Sequence, residues 1–240
     1  MLNIGGALVA RGHSVLFIDG DQQNNLGQSF AYNPLVSGTL AAVLRGELTM
    51  ANAVMQVREN LYLLPAGPAL NDAVAGRAKQ PGAELALRKL LAPLTVDFVL
   101  IDTPGSLGKF TDVVLAAGAA VFIPLHPDNY GVSGLVKLIL RSRLMEESVN
   151  PGLRVAGLFL TQYHPQDRRL ILRQNIAAMR ANPVLGPLFL QGTIRDNVAV
   201  KEAQSVRLSL QQYAPDCAAA VDYRLLTEEM LGRLTYTTHE

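Results

Sequence analysis

Two stretches of this 240-residue chain carry residue types that could hold a metal-bound anion. One is Val15-Leu16-Phe17-Ile18-Asp19-Gly20-Asp21-Gln22-Gln23-Asn24-Asn25-Leu26. The other is Phe98-Val99-Leu100-Ile101-Asp102-Thr103-Pro104-Gly105. Each is a short apolar run that ends in aspartate and then small or polar residues, the pattern of a buried parallel strand meeting a ligand crevice. A carboxylate at such a tip can reach a hard cation, often through water. A second one beside it can orient an attacking water. On this reading Asp102 faces the metal and Asp21 orients the water. A plainer reading is that strand-end aspartates cap the next helix or turn. Asp102 alone does not decide between them; Asp19-x-Asp21 followed by glutamine, together with Asp102-Thr103-Pro104, favours a site.

The elements that must position these residues alternate between helical and strand patterns, which predicts an α/β fold with a mostly parallel sheet covered by helices on both faces. Helical spacing is expected over residues 2–10, 39–44, 50–57, 84–91, 132–145, 167–180 and 218–234. Strands are expected over 15–18, 61–64, 98–101, 119–124, 155–161 and 188–191. No repeat, low-complexity tract or linker divides the chain, so residues 1–240 read as a single domain.

Bulk properties narrow the class. A net charge of +1 argues against a protein dominated by one sign of charge. The single cysteine, Cys217, excludes an internal disulfide framework and fits a reducing cytosol. His13, His126, His164 and His239 show no metal-ligand spacing. Hydrophobic residues make up 49%, yet every apolar run falls well short of a membrane span. No signal peptide is read at the N-terminus.

The two aspartate-ended strands resemble the Walker A′ and Walker B strands of the ParA/Soj/MinD family of deviant P-loop ATPases, and the likeness spans nearly the whole chain. Asn3 to His13 is similar to the family's helix behind the P-loop, with its Arg-Gly-His turn. Gly38-Thr39-Leu40 with Val43-Leu44, and Asn60-Leu61-Tyr62-Leu63-Leu64-Pro65-Ala66, resemble the next helix and strand. Pro124-Leu125-His126-Pro127 with Gly134-Leu135 resembles the segment that flanks the nucleotide. Thr193-Ile194-Arg195-Asp196-Asn197-Val198 with Glu202-Ala203 resembles the late Pro-Arg-Asn-Val signature, and Tyr213-Ala214-Pro215 its sequel. Gln22 and Gln204 stand where the family usually has proline, and Asp196 adds an acid to the late signature.

The resemblance implies a P-loop NTPase-like (Rossmann-like) fold, with ATP and Mg2+ in the crevice. It implies Asp21 as the catalytic residue and Asp19, Asp102, Thr103, Pro127, Arg195 and Asn197 as cofactor-binding residues, Asp102 reaching Mg2+ through water. It also implies a nucleotide-dependent homodimer, a ParB-like centromere-binding partner, and a cytoplasmic, nucleoid-associated protein. One family feature is missing from the sequence. The family's glycine-rich loop and its lysines would precede the first of these strands, and no stretch here has glycines followed by Lys-Ser or Lys-Thr. Gly105-Ser106-Leu107-Gly108-Lys109 is identified as the family's Ser-Leu-Gly helix start instead. The expectation is a ParA-like domain without its first strand and P-loop. That central strand would leave unpaired backbone groups behind it. As written, the chain is expected to bind ATP weakly and hydrolyse it hardly at all. The alternatives are a non-catalytic regulator that pairs with an intact ATPase or with DNA, and an inactive fragment.

Charge is distributed unevenly. Positions 168 to 207 hold seven basic and two acidic residues, a net +5, against −4 for the rest. Such asymmetry is the footprint of a phosphate-binding face. Arg169, Arg173 and Arg180 fall on one side of a helix, opposite Leu170, Ile171 and Ile176. A solvated helix face is the plain reading; the resemblance favours sequence-independent DNA binding by Arg169, Arg173, Arg180, Lys201 and Arg207. The acidic tail from Leu225 to Leu234 lacks the cationic face of a membrane-surface helix, so no membrane partner is expected.

Overall fold

The computed structural model describes residues 1–23, 25–30, 38–80, 82–105, 107–126, 132–164, 166 and 168–235. The first half runs α1 (Leu2–Val9), β1 (Val15–Asp19), α2 (Asn25–Gln28), α3 (Leu40–Arg45), α4 (Met50–Ala53), β2 (Met55–Arg58), β3 (Leu61–Leu64), α5 (Leu70–Arg77), α6 (Ala86–Leu91) and β4 (Phe98–Asp102). The second half runs α7 (Lys109–Ala117), β5 (Ala120–Leu125), α8 (Val132–Ser148), β6 (Arg154–Thr161), α9 (Leu170–Ala181), β7 (Phe189–Ile194), α10 (Val198–Ser205), α11 (Leu210–Tyr213) and α12 (Ala218–Thr235).

β1 is buried along its whole length. Its side chains alternate between two cores, as a strand covered on both faces requires. Val15 and Phe17 pack with Leu8, Leu61 and Leu63, while Leu16 and Ile18 pack with Leu40, Leu64, Leu87 and Phe110. Burying side chains of this size contributes about 1.5–3 kcal/mol each. α1 lies directly on this strand, because a Cβ on Gly5 would overlap the Phe17 ring. Gly12, with φ +87°, ends the helix: its N–H bonds the Val9 carbonyl, and the His13 N–H bonds that of Leu8.

The expected parallel architecture is present, divided between two sheets. One has the order β2-β3-β1-β4 and the other β5-β6-β7. All pairings are parallel except that of β2 with β3. β4 and β5 do not pair, and both are mostly half-buried where β1 is buried. Each of their half-exposed apolar side chains forgoes roughly 1 kcal/mol of burial. The two sheets nonetheless share cores. Ile4 of α1 joins Phe159, Leu190, Leu226 and Met230, while Leu231 of α12 joins the Phe17 core.

Three expectations are corrected. The helix expected over 50–57 stops at Ala53, where Val54 turns extended, and residues 55–58 form the antiparallel strand β2. α2, α5, α10 and α11 had no expected counterpart. In α9 the buried side chains are Leu172 and Ile176, whereas Leu170 and Ile171 are 65% and 64% exposed. The arginines of that helix therefore flank its buried stripe rather than oppose an apolar Leu170-Ile171 side.

Candidate active site

The parallel register of β1 and β4 sets Asp19 opposite Asp102. The Gly20 N–H then bonds the Asp102 carbonyl at 3.1 Å, tying the two strand ends together. Gly20 has no room for a side chain: a Cβ there would overlap the Phe110 ring and lie 2.5 Å from the Asp102 carbonyl oxygen.

The three carboxylates have separate environments. Asp19 is fully buried and accepts two backbone N–H bonds, from Asp21 and Gly27, each at 3.0 Å. It thereby shapes the loop that carries Asp21. Burial still pushes its pKa up, outweighing those two bonds. Asp21 is half-buried and holds its own turn by accepting the Gln23 N–H at 2.9 Å. Asp102 also has a raised pKa, first from burial and then from Asp21, opposed by the positive α-amine of Met1. That amine in turn has its pKa lowered by burial, opposed by the Asp102 charge. The N-terminal end of α1, the positive end of its dipole, thus lies towards the Asp102 end of β4.

These groups suit one kind of metal. Among the described residues, no three His, Cys, Asp or Glu side chains converge tightly enough to hold an ion by themselves. A magnesium ion carried by phosphates needs only one or two protein carboxylates and keeps several waters. Asp102, at the tip of β4, has the chemistry for that role.

The other expected residues lie elsewhere. Thr103, with Pro104 and Gly105, forms a wall of an open cavity of about 1010 Å³, floored by Ile123, Leu125 and Leu160 under α8 and α9. Asp19, Asp21 and Asp102 do not line that cavity. Pro127 lies outside the described residues. Arg195 grips Asp222 with two nitrogens, Nε to Oδ2 at 2.8 Å and Nη2 to Oδ1 at 2.7 Å, and a further bond reaches the Ala218 carbonyl. Asn197 caps α10, accepting the Ala199 N–H at 2.9 Å.

The basic residues divide between two helix layers. Arg169 stands at the N-cap of α9, and Arg173 and Arg180 are exposed along it, Arg180 lying 5.2 Å from the centre of the Phe189 ring. α9 packs with α8 against Leu158 and Leu160 of β6. Lys201 and the left-handed Arg207 belong to α10 and its end, which pack with α11 and α12 in the opposite layer. The structure brings Arg169, Arg173 and Arg180 together and sets the other two apart. Gly20 and Phe110 shape the site but were not singled out from sequence; the glycine between Asp19 and Asp21 was the available signal.

This architecture, with its carboxylates at the C-terminal ends of parallel strands, is that of a P-loop-type α/β nucleoside triphosphatase. Residues 1–155 match the family described as an AAA domain. The chain is 31% identical over 236 residues to the chromosome-partitioning ATPase Soj of Treponema pallidum, covering 97% of this chain and 90% of that one. Over 239 residues it is 31% identical to the chromosome partitioning protein ParA of Caulobacter vibrioides, covering 97% and 88%. In structure it is similar to cobyrinic acid a,c-diamide synthase from Mycobacterium smegmatis with bound ATP analog and magnesium. The TM-score is 0.79 and the identity 26%, over 100% of this chain and 89% of the other. The chain belongs to the ParA/Soj family of chromosome-partitioning ATPases.

Proposed function

We propose that this chain takes part in DNA partition as an ATPase. Its crevice lies at the C-terminal ends of β1 and β4, on the side of the Met1 end of α1. The observation that carries this reading is the register of Asp19 with Asp102. Buried Asp19 fixes the loop that presents Asp21, so an acceptor for water stands next to a carboxylate suited to a hydrated cation. Asp102 holds magnesium through water, and Asp21 orients the attacking water. Magnesium would neutralise phosphate charge. The N-terminal end of α1 receives a phosphate. Thr103 follows Asp102 directly and can contact the same nucleotide, and Pro127, Arg195 and Asn197 are assigned to its far side by family likeness.

Relatives named for chromosome partition support the larger role. In it the nucleotide-bound chain dimerises in the cytoplasm and binds nucleoid DNA without regard to sequence. It does so chiefly through Arg169, Arg173 and Arg180, with Lys201 and Arg207 contributing from the other layer. A ParB-like centromere-binding protein is the expected partner. A second reading is favoured by one observation: no glycine-rich stretch followed by Lys-Ser or Lys-Thr occurs in the 240 residues. On that reading the chain is a non-catalytic regulator. The test compares ATP hydrolysis by the 240-residue chain with that by a chain extended before Met1 by a glycine- and lysine-containing loop. The extended chain is expected to hydrolyse ATP and the shorter one to stay at background. Hydrolysis by neither favours the regulator. Hydrolysis by the shorter chain that Asp21→Ala abolishes would show the loop to be dispensable.

A further inference from the structure

The open cavity under α8 and α9 has its own chemistry. Its floor is Ile123, Leu125 and Leu160, and Leu135, Leu138 and Met179 add apolar surface from the two helices. Asp19, Asp21 and Asp102 take no part in it, so it is separate from the aspartate crevice. Its volume of about 1010 Å³ sits at the upper end of small-molecule sites, which run to about 1,000 Å³ and are mostly apolar with a few convergent polar groups. Water on such a floor is displaced favourably by an apolar body.

The polar groups of the cavity define what it would hold. No aspartate or glutamate is among the described residues that line it, whereas Lys137 is. Some polar side chains there are already engaged. His126 Nε2 lies 2.7 Å from Gln162 Oε1, and Asn182 accepts the N–H groups of Val184 and Leu185. Lys137 of α8 and Asn175 of α9 are not, since neither side chain makes a hydrogen bond or ion pair with the described residues. An ammonium with no acid along the cavity wall favours an anion, because hydrogen bonds between ionised groups are roughly twice as strong as neutral ones.

We propose that this cavity is a binding site for a small amphipathic acid. An apolar ring system or acyl chain lies on Ile123, Leu125 and Leu160, Lys137 holds the acid group, and the Asn175 amide supplies an uncharged donor. A cationic ligand would find no counter-charge among the described lining residues, and an uncharged one would leave Lys137 unused. The bound acid touches Thr103, Pro104 and Gly105, the segment that leaves β4 beyond Asp102. This inference rests on the cavity alone and stands whether or not the crevice binds nucleotide.

Two fluorescent probes test it on the 240-residue chain. Anilinonaphthalene sulfonate joins aromatic rings to one anionic group, and N-phenylnaphthylamine has the same rings without the charge. The anionic probe should saturate, be displaced by decanoate, and shift backbone amide resonances within residues 123–126, 134–138 and 175–179. That map separates the cavity from the diffuse binding that loosely packed chains give. Lys137→Ala should weaken the anionic probe by about tenfold and leave the neutral one nearly unchanged. Ala178→Trp, which puts an indole into the cavity, should abolish binding of both. Both positions are exposed, so urea midpoints should match that of the parent. Should Ala178→Trp fail to fold, Lys137→Glu takes its place, and it should abolish binding of the anionic probe alone. The inference is overturned if both probes respond equally to Lys137→Ala, or if decanoate displaces nothing. Amide shifts outside the cavity, or full binding by Ala178→Trp, overturn it equally.

Discussion

Asp19 and Asp102 are register partners at the ends of adjacent parallel strands, and burial raises the carboxyl pKa of both. Asp19 spends its oxygens on the backbone N–H groups of Asp21 and Gly27, which fixes the loop. Asp102 stands beside the Met1 amine at the N-terminal end of α1. On the proposed function, the pair separates loop building by Asp19 from cation binding by Asp102, although both residues end similar apolar strands.

That separation gives a pH signature. A carboxyl whose folded pKa lies above its ordinary value of 3.8 contributes stability that is full below that value. The contribution is lost as pH rises through the folded pKa, because the folded state binds the extra proton. Asp19→Asn removes this titration and sets an NH2, which cannot accept, where the protonated acid's hydroxyl oxygen still can, so it should cost about 1–3 kcal/mol in acid. The cost should shrink as pH rises above 3.8 through the folded value. Urea midpoints across that range measure it. A cost independent of pH would contradict the raised pKa of Asp19.

Gly20→Ala should destabilise the fold by about 1–3 kcal/mol, the usual range for overpacking. The added carbon would meet both the Phe110 ring and the Asp102 carbonyl oxygen. Adding Phe110→Leu should recover only part of the loss, since the carbonyl clash stays. Denaturant midpoints of the single and double variants decide this.

Sequence legibility followed burial. β1 and β4 are unbroken apolar runs ending in aspartate, and both were readable. β2 was not, because residues 50–57 begin with a true N-cap at Thr49, whose side chain accepts from Asn52. The alternation of Met55 and Val57 with exposed Gln56 was the competing signal. α5 has too weak a pattern to stand out, with Gly76 in its last turn. Leu170 and Ile171 look like core residues by type; only the packing of α9 shows that Leu172 and Ile176 take that place. The split of the basic segment between two layers depends on which side of β7 each helix lands, and no local pattern records that.

Arg195→Lys should cost about 1–2 kcal/mol, because an ammonium cannot reproduce the two-nitrogen grip on Asp222. The Asp222 carboxylate is largely buried while the arginine is about one-third exposed, so much of the loss comes from the acid left without its fork. Thermal or urea denaturation checks it. A neutral substitution would mean that the pair adds no net stability.

Arg173→Glu and Arg180→Glu should weaken binding to every duplex sequence alike, since phosphate contacts carry no sequence code. The slope of log affinity against log salt should fall by about 0.9 for each phosphate no longer neutralised. Arg173→Glu should leave stability within ~0.5 kcal/mol. Arg180→Glu should cost about 0.5–1 kcal/mol more, because no cation then lies over the Phe189 ring. The salt titration is made on the nucleotide-bound dimer of the loop-extended chain. Unchanged affinity and slope would mark α9 as a solvated face.

The division of labour between Asp21 and Asp102 is tested most directly by ATP affinity, with and without magnesium, in the loop-extended chain. Asp21→Ala should bind Mg-ATP as the parent does, stall hydrolysis and accumulate the dimer. Asp102→Ala should lose most of the gain in affinity that magnesium gives. Equal Mg-ATP binding by the two variants would contradict the assignment of the cation to Asp102 and of the water to Asp21.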